Sequence, residues 1–100
     1  MLLEVNELEW DEENENHSAE HGLTPSIAEE VLEIFPKFFP NNQGKHRRTG
    51  THFMIGPTLG GDFWTTIIRP ISEGKWKVIT GWPSELAELT KYKQDRRRRP

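Results

Sequence analysis

Apolar and polar positions change their rhythm along this chain. Leu3, Val5, Leu8 and Trp10 alternate imperfectly with polar neighbours, which predicts a short strand within Leu2 to Trp10, at an edge of its sheet. Asp11 can cap a helix whose first turn is rich in acid, and Gly22 suits the left-handed residue beyond a helix end. Asp11 to His21 is therefore expected to form the first helix. Thr24 followed by Pro25 starts a second helix, and Pro36 stops it. Between them Ile27, Val31, Ile34 and Phe35 form an apolar stripe, with Glu29, Glu30 and Glu33 largely opposite.

Pro36 to Gly50 has the composition of a loop. Three strands follow, at about Thr51 to Ile55, Phe63 to Arg69 and Lys75 to Thr80, joined by Gly60-Gly61-Asp62 and by a Glu73-Gly74 turn. Connections this short make them antiparallel neighbours. Phe53, Trp64 and Trp76 alternate with polar residues and are expected in the core. Ser84 to Lys93 reads as a last helix with Leu86 and Leu89 on one side. The predicted class is α+β: an N-terminal strand and two helices, then a three-stranded antiparallel meander and a C-terminal helix. Residues 1–94 would form one domain and residues 95–100 a disordered basic tail.

Composition narrows the function classes. A 33% hydrophobic share of 100 residues supplies one modest core. The absence of cysteine excludes disulfides and thiolate metal sites. The start, Met1-Leu2-Leu3-Glu4-Val5, lacks the basic and apolar regions of a signal peptide, and no stretch approaches the roughly 20 apolar residues of a membrane span, so a cytoplasmic location is expected. Net charge is −3, but residues 1–40 carry eleven Asp or Glu against one Lys, whereas residues 41–100 carry five acidic against twelve basic. The second part is expected to attract an anionic partner and the first to repel it.

The first helix is unusual. Its best inward stripe by spacing is Trp10, Asn14, His17 and His21, at intervals of four, three and four, and three of these four residues are polar. They would either satisfy one another at a half-buried seam or border a polar cleft. His17 and His21 have the spacing of a metal clamp, but no third ligand stands at a diagnostic distance from them.

These elements together resemble a known family. Trp10-Asp11-x-x-Asn14-x-x-His17-x-x-x-His21-Gly22, a helix, Gly50-Thr51-x-x-x-Ile55-Gly56 and Val78-Ile79-Thr80-Gly81-Trp82 are similar, in order and spacing, to the BrnT-like toxins. That family is a branch of the RelE/ParE-type superfamily of toxin–antitoxin ribonucleases. The resemblance runs from Glu9 to about Tyr92. It implies a domain that cuts RNA without a metal or other cofactor and is neutralised by an antitoxin encoded beside it, with its oligomeric state set through that complex. In such chemistry a ribose 2′-hydroxyl attacks the neighbouring phosphate, which calls for a proton acceptor, a proton donor and fixed cations.

By family position and chemical suitability, His17, His21, Arg48 and Arg69 are the candidate catalytic residues, with His21 or His17 for acid–base work. Asn14, Lys45, Arg47, Lys77 and Trp82 are the candidates for holding RNA. Trp82 could stack on a base or pack against the last helix. Two departures stand out: many members have Ala-Arg where this chain has Gly81-Trp82, and an Arg-rich final helix where this one bears Glu85 and Glu88. The alternatives are a protein-binding relative that has lost the chemistry, and a nucleic-acid-binding regulator using Lys45 to Arg48 and the Arg96 to Arg99 tail. The Phe35, Phe38 and Phe39 cluster would suit docking of an antitoxin segment or close the base of the core.

Overall fold

Short connections and alternating apolar residues build the sheet as expected, and two further strands extend it. The computed structural model describes residues 4–41 and 50–95. Its elements are β1 (Glu7–Glu9), α1 (Glu12–Ala19), α2 (Pro25–Glu33), β2 (Lys37–Pro40), β3 (His52–Pro57), β4 (Phe63–Ser72), β5 (Lys75–Pro83) and α3 (Leu86–Gln94). The strand order is β1-β5-β4-β3-β2, antiparallel throughout except for the parallel β1–β5 pair.

The predicted three-stranded meander is thus the centre of a five-stranded sheet. The expected loop from Pro36 hides a strand: Lys37, Phe38, Phe39 and Pro40 pair with Ile55, Met54, Phe53 and His52. Four residues are too few for a period of two to register in the sequence, and the proline is tolerated because β2 lies at the sheet edge. The short first strand was expected at an edge and is found there, but its parallel partner is β5, far along the chain.

Each face of the sheet carries its own apolar cluster. Leu8, Met54, Ile68, Trp76 and Val78 meet Leu23, Ala28 and Val31 of the helical half, with Trp10, Ile27 and Trp64 packed around them. Phe39, Phe53, Ile55 and Ile67 form the second cluster, covered by Ile79, Trp82 and Tyr92 of α3. Burial of side chains such as Leu23, Met54 and Ile68 contributes about 1.5–3 kcal/mol each.

The helices correct three expectations. On α2 the buried positions are Ala28 and Val31, while Phe35 remains 47% exposed. On α3, Leu86 is 80% exposed, and the helix is seated instead by Tyr92, whose hydroxyl donates to the Phe35 carbonyl at 2.7 Å and whose ring meets Phe63 edge-on at 5.1 Å. Lys37 fastens the same C-terminal end of α3, its ammonium donating to the Tyr92 and Asp95 carbonyls at 2.9 Å each. On α1 the inward residue is Ser18, fully buried, while His17 and His21 are exposed. The seam follows Asp11, Asn14 and Ser18, spaced three and four, one step around the helix from the histidines. No described helix is long and apolar enough to cross a membrane.

Candidate active site

The parallel β1–β5 pairing places two alternating series side by side. Glu7 and Glu9 stand opposite Lys75 and Lys77. Beyond Glu9 the chain turns into α1, which packs along the rest of β5. Asp11, capping α1, accepts the Asn14 backbone N–H at 2.7 Å through Oδ1 and the Asn14 side-chain amide at 3.2 Å through Oδ2. The same Oδ2 takes the Lys77 ammonium at 2.7 Å, and Glu9 takes Lys75 at 3.0 Å. The Lys77 ammonium, with the Asn14 N–H behind it, holds the Asp11 carboxyl below its usual range; Glu9 raises Lys75. The opposed charges of the two halves of the sequence therefore meet at the surface along this seam.

Of the residues singled out from sequence, Asn14 and Lys77 converge on Asp11, and Arg69 is the cross-strand partner of Lys77. Cross-strand partners share a face, so Arg69 and Lys77 belong to the face carrying the Phe39–Ile67 cluster. Arg69 is exposed and forms no ion pair with another described residue. His17 and His21 meet each other edge-on, with ring centroids 5.7 Å apart and planes at 80°. Among the described residues no group of three His, Cys, Asp or Glu side chains is placed to hold a metal. Lys45, Arg47 and Arg48 lie outside the described residues, as does the Arg96 to Arg99 run.

Trp82 is held by α3. Its indole N–H donates to Glu88 Oε1 at 3.0 Å, and that oxygen also accepts the Thr65 hydroxyl at 3.1 Å and the Glu85 backbone N–H at 2.8 Å. Glu88, which stood out as an acid in a helix expected to be basic, is thus the anchor of α3 on the sheet. The neighbouring Gly81 has an equally local cause. A Cβ there would run into the Leu23 side chain and lie 2.8 Å from the Thr65 carbonyl oxygen, so even alanine is overcrowded where Leu23 crosses β5.

An open groove between β2 and α3, lined by Phe39, Pro40, Ala87, Thr90 and Lys91, holds none of the candidate catalytic or RNA-holding residues. Asn14, His17 and Lys77 lie instead on α1 and β5, toward the opposite edge of the sheet. Sequence reasoning treated Asp11 only as a helix cap and overlooked its bond to Lys77. The available signal was the matched period of two in Glu7, Glu9, Asp11 and in Lys75, Lys77.

No family model and no curated protein matches the chain. Among solved structures, the fold is similar to that of the ribonuclease toxin BrnT of Brucella abortus, a crystal structure at 1.1 Å. The TM-score is 0.60 at 23% sequence identity, and the match covers 81% of this chain and 99% of that one. The BrnT-like fold implied by the sequence resemblance is the fold observed.

Proposed function

We propose that this chain is a metal-independent endoribonuclease toxin of a toxin–antitoxin pair, cytoplasmic and neutralised by a cognate antitoxin. The observation that carries the proposal is its fold likeness to a ribonuclease toxin along nearly the whole of that protein. The arrangement around α1 and β5 supports it. Arg69 offers an exposed guanidinium on the strand next to Lys77, suited to a phosphate by its planar fork of donors. His21 or His17, at the surface of the adjoining helix, supplies the acid–base group.

The chemistry assigned to these groups is a transesterification. The histidine accepts the 2′-hydroxyl proton as that oxygen attacks phosphorus, the cations offset charge gathering on the non-bridging oxygens, and the 5′-oxygen leaves with a proton from an acid. Arg48 is assigned, like Arg69, to holding the phosphate, with Lys45 and Arg47 as outer steering charges and Trp82 as a contact to RNA.

A second reading, a protein-binding relative without chemistry, is favoured by one observation: both β5 lysines are already paired within the chain. Induced expression separates the two. The wild type should arrest growth and degrade RNA, and purified protein should cut in the presence of chelator. His21→Ala, Arg48→Ala and Arg69→Ala, at matched soluble levels, should each lose activity by about 100-fold or more. If wild type and variants are equally harmless and none cleaves purified RNA, the ribonuclease proposal fails and the binding reading replaces it.

A further inference from the structure

The β5 lysines differ from Arg69 in one respect that bears on binding: each already holds a carboxylate, whereas Arg69 holds none among the described residues. The two partners of the Lys77 bond are also unequally secured. Asp11 is fixed by its own helix, with Oδ1 on the Asn14 N–H and Oδ2 on the Asn14 side-chain amide, and these bonds do not depend on Lys77. Lys77 is a compact charge on a flexible four-carbon stem, and its side chain keeps 28% of its surface in solvent, against 45% for Asp11. An ion pair this open exchanges readily with a competing anion. When it opens, the carboxylate stays and the lysine is free to turn toward its cross-strand neighbour Arg69, on the face the two share.

We propose that Asp11 is a built-in competitor of RNA phosphate for Lys77, lowering RNA affinity by holding that cation back from a strand bound at Arg69. This rests on the ribonuclease reading for the identity of the anion. Asp11 thereby has two separable jobs. As a cap it needs only a side-chain oxygen; as a competitor it needs the negative charge. Asparagine and serine keep the first and remove the second.

The separation makes the test direct. Binding of a 2′-O-methyl oligouridylate, which cannot be cut at a 2′-hydroxyl, is followed by fluorescence anisotropy as salt is varied. Freeing one cation adds one phosphate contact, which steepens the dependence of log affinity on log salt by about 0.7 for a single strand. If electrostatics fades at about 1 M salt, Asp11→Asn should bind about eightfold more tightly than wild type at about 50 mM and about threefold more tightly at about 200 mM.

Asp11→Ser should reproduce that gain, so the test does not hang on one variant's folding. Asp11→Asn combined with Lys77→Gln should return to the wild-type slope. Glu12→Gln, which removes a like charge one residue away, should leave the slope unchanged. Wild-type affinity in both Asp11 variants, a gain that survives Lys77→Gln, or an equal gain in Glu12→Gln overturns the competitor role while leaving RNA binding intact. Failure of every chain to bind the strand overturns the ribonuclease reading as well.

Discussion

Glu88→Ala should unseat the last helix. Three donors converge on one oxygen of this residue: the Trp82 indole N–H, the Thr65 hydroxyl and the Glu85 backbone N–H. They are not equally exposed to its loss. Thr65 retains the Ser84 hydroxyl at 2.8 Å, and the Glu85 N–H can turn to water. The part-buried Trp82 indole loses its bond to a carboxylate, worth about 1.5–3 kcal/mol. The reciprocal cap between Glu85 and Glu88 is lost too, costing about 0.5–1 kcal/mol. The sum is about 2–4 kcal/mol. At about 4–8 °C per kcal/mol for a domain of this size, Tm should fall by roughly 8–32 °C.

Glu88→Gln keeps an acceptor oxygen and should cost less than about 1 kcal/mol. Urea unfolding followed by both circular dichroism and tryptophan fluorescence reads both numbers. An unchanged slope with a lowered midpoint places the loss in native stability. An alanine variant within about 0.5 kcal/mol of wild type, or a glutamine variant as damaging as the alanine one, would refute the anchoring role.

Gly81→Ala should destabilise by about 1–3 kcal/mol through overpacking against Leu23 and the Thr65 carbonyl, and Leu23→Ala should offset part of that loss in the double variant. His52 stacks edge-on with Trp76 at 5.3 Å, and burial holds its pKa below the ordinary 6.5, so folding favours the neutral ring. The stability it contributes is present above pH 6.5 and is lost as pH falls below that value toward its depressed folded pKa. Urea midpoints between about pH 7.5 and 5.5 should therefore fall more for wild type than for His52→Phe, which keeps an aromatic ring; parallel profiles would remove His52 as the cause. Lys37→Met should free the Tyr92 and Asp95 carbonyls, cost about 1 kcal/mol, and speed hydrogen exchange in the last turn of α3; unchanged exchange there would show that the lysine does not hold it.

Local signals sufficed wherever an element's identity depends on its near neighbours. Asp11 with Asn14, Thr24 with Pro25, and the Gly22 φ of +89° mark the ends of α1 and α2 through contacts no more than a few residues long. The central hairpins were legible because short turns leave adjacent strands no other partner. The order and spacing of Trp10, Asn14, His17, His21, Gly56 and Trp82 also sufficed to anticipate the BrnT-like fold.

Pairings across long separations were decided only by the folded chain. Lys37–Pro40 becomes a strand because β3 offers it an edge, and Glu7–Glu9 runs parallel to β5 because the first and last strands meet across more than half the sequence. That meeting paired part of the chain's opposed charge at the surface, binding Lys75 to Glu9 and Lys77 to Asp11. It also placed Ser18, rather than the histidines, against the sheet, while the seating of α3 on the sheet brought the Thr65 hydroxyl and the Trp82 indole to Glu88. The sequence by itself determined the helices, the central strands and the family they resemble, since those follow from periodicity and residue order. Tertiary structure decided which cations are already engaged and which polar residues are exposed, because charge pairing and burial depend on distances that no local pattern encodes.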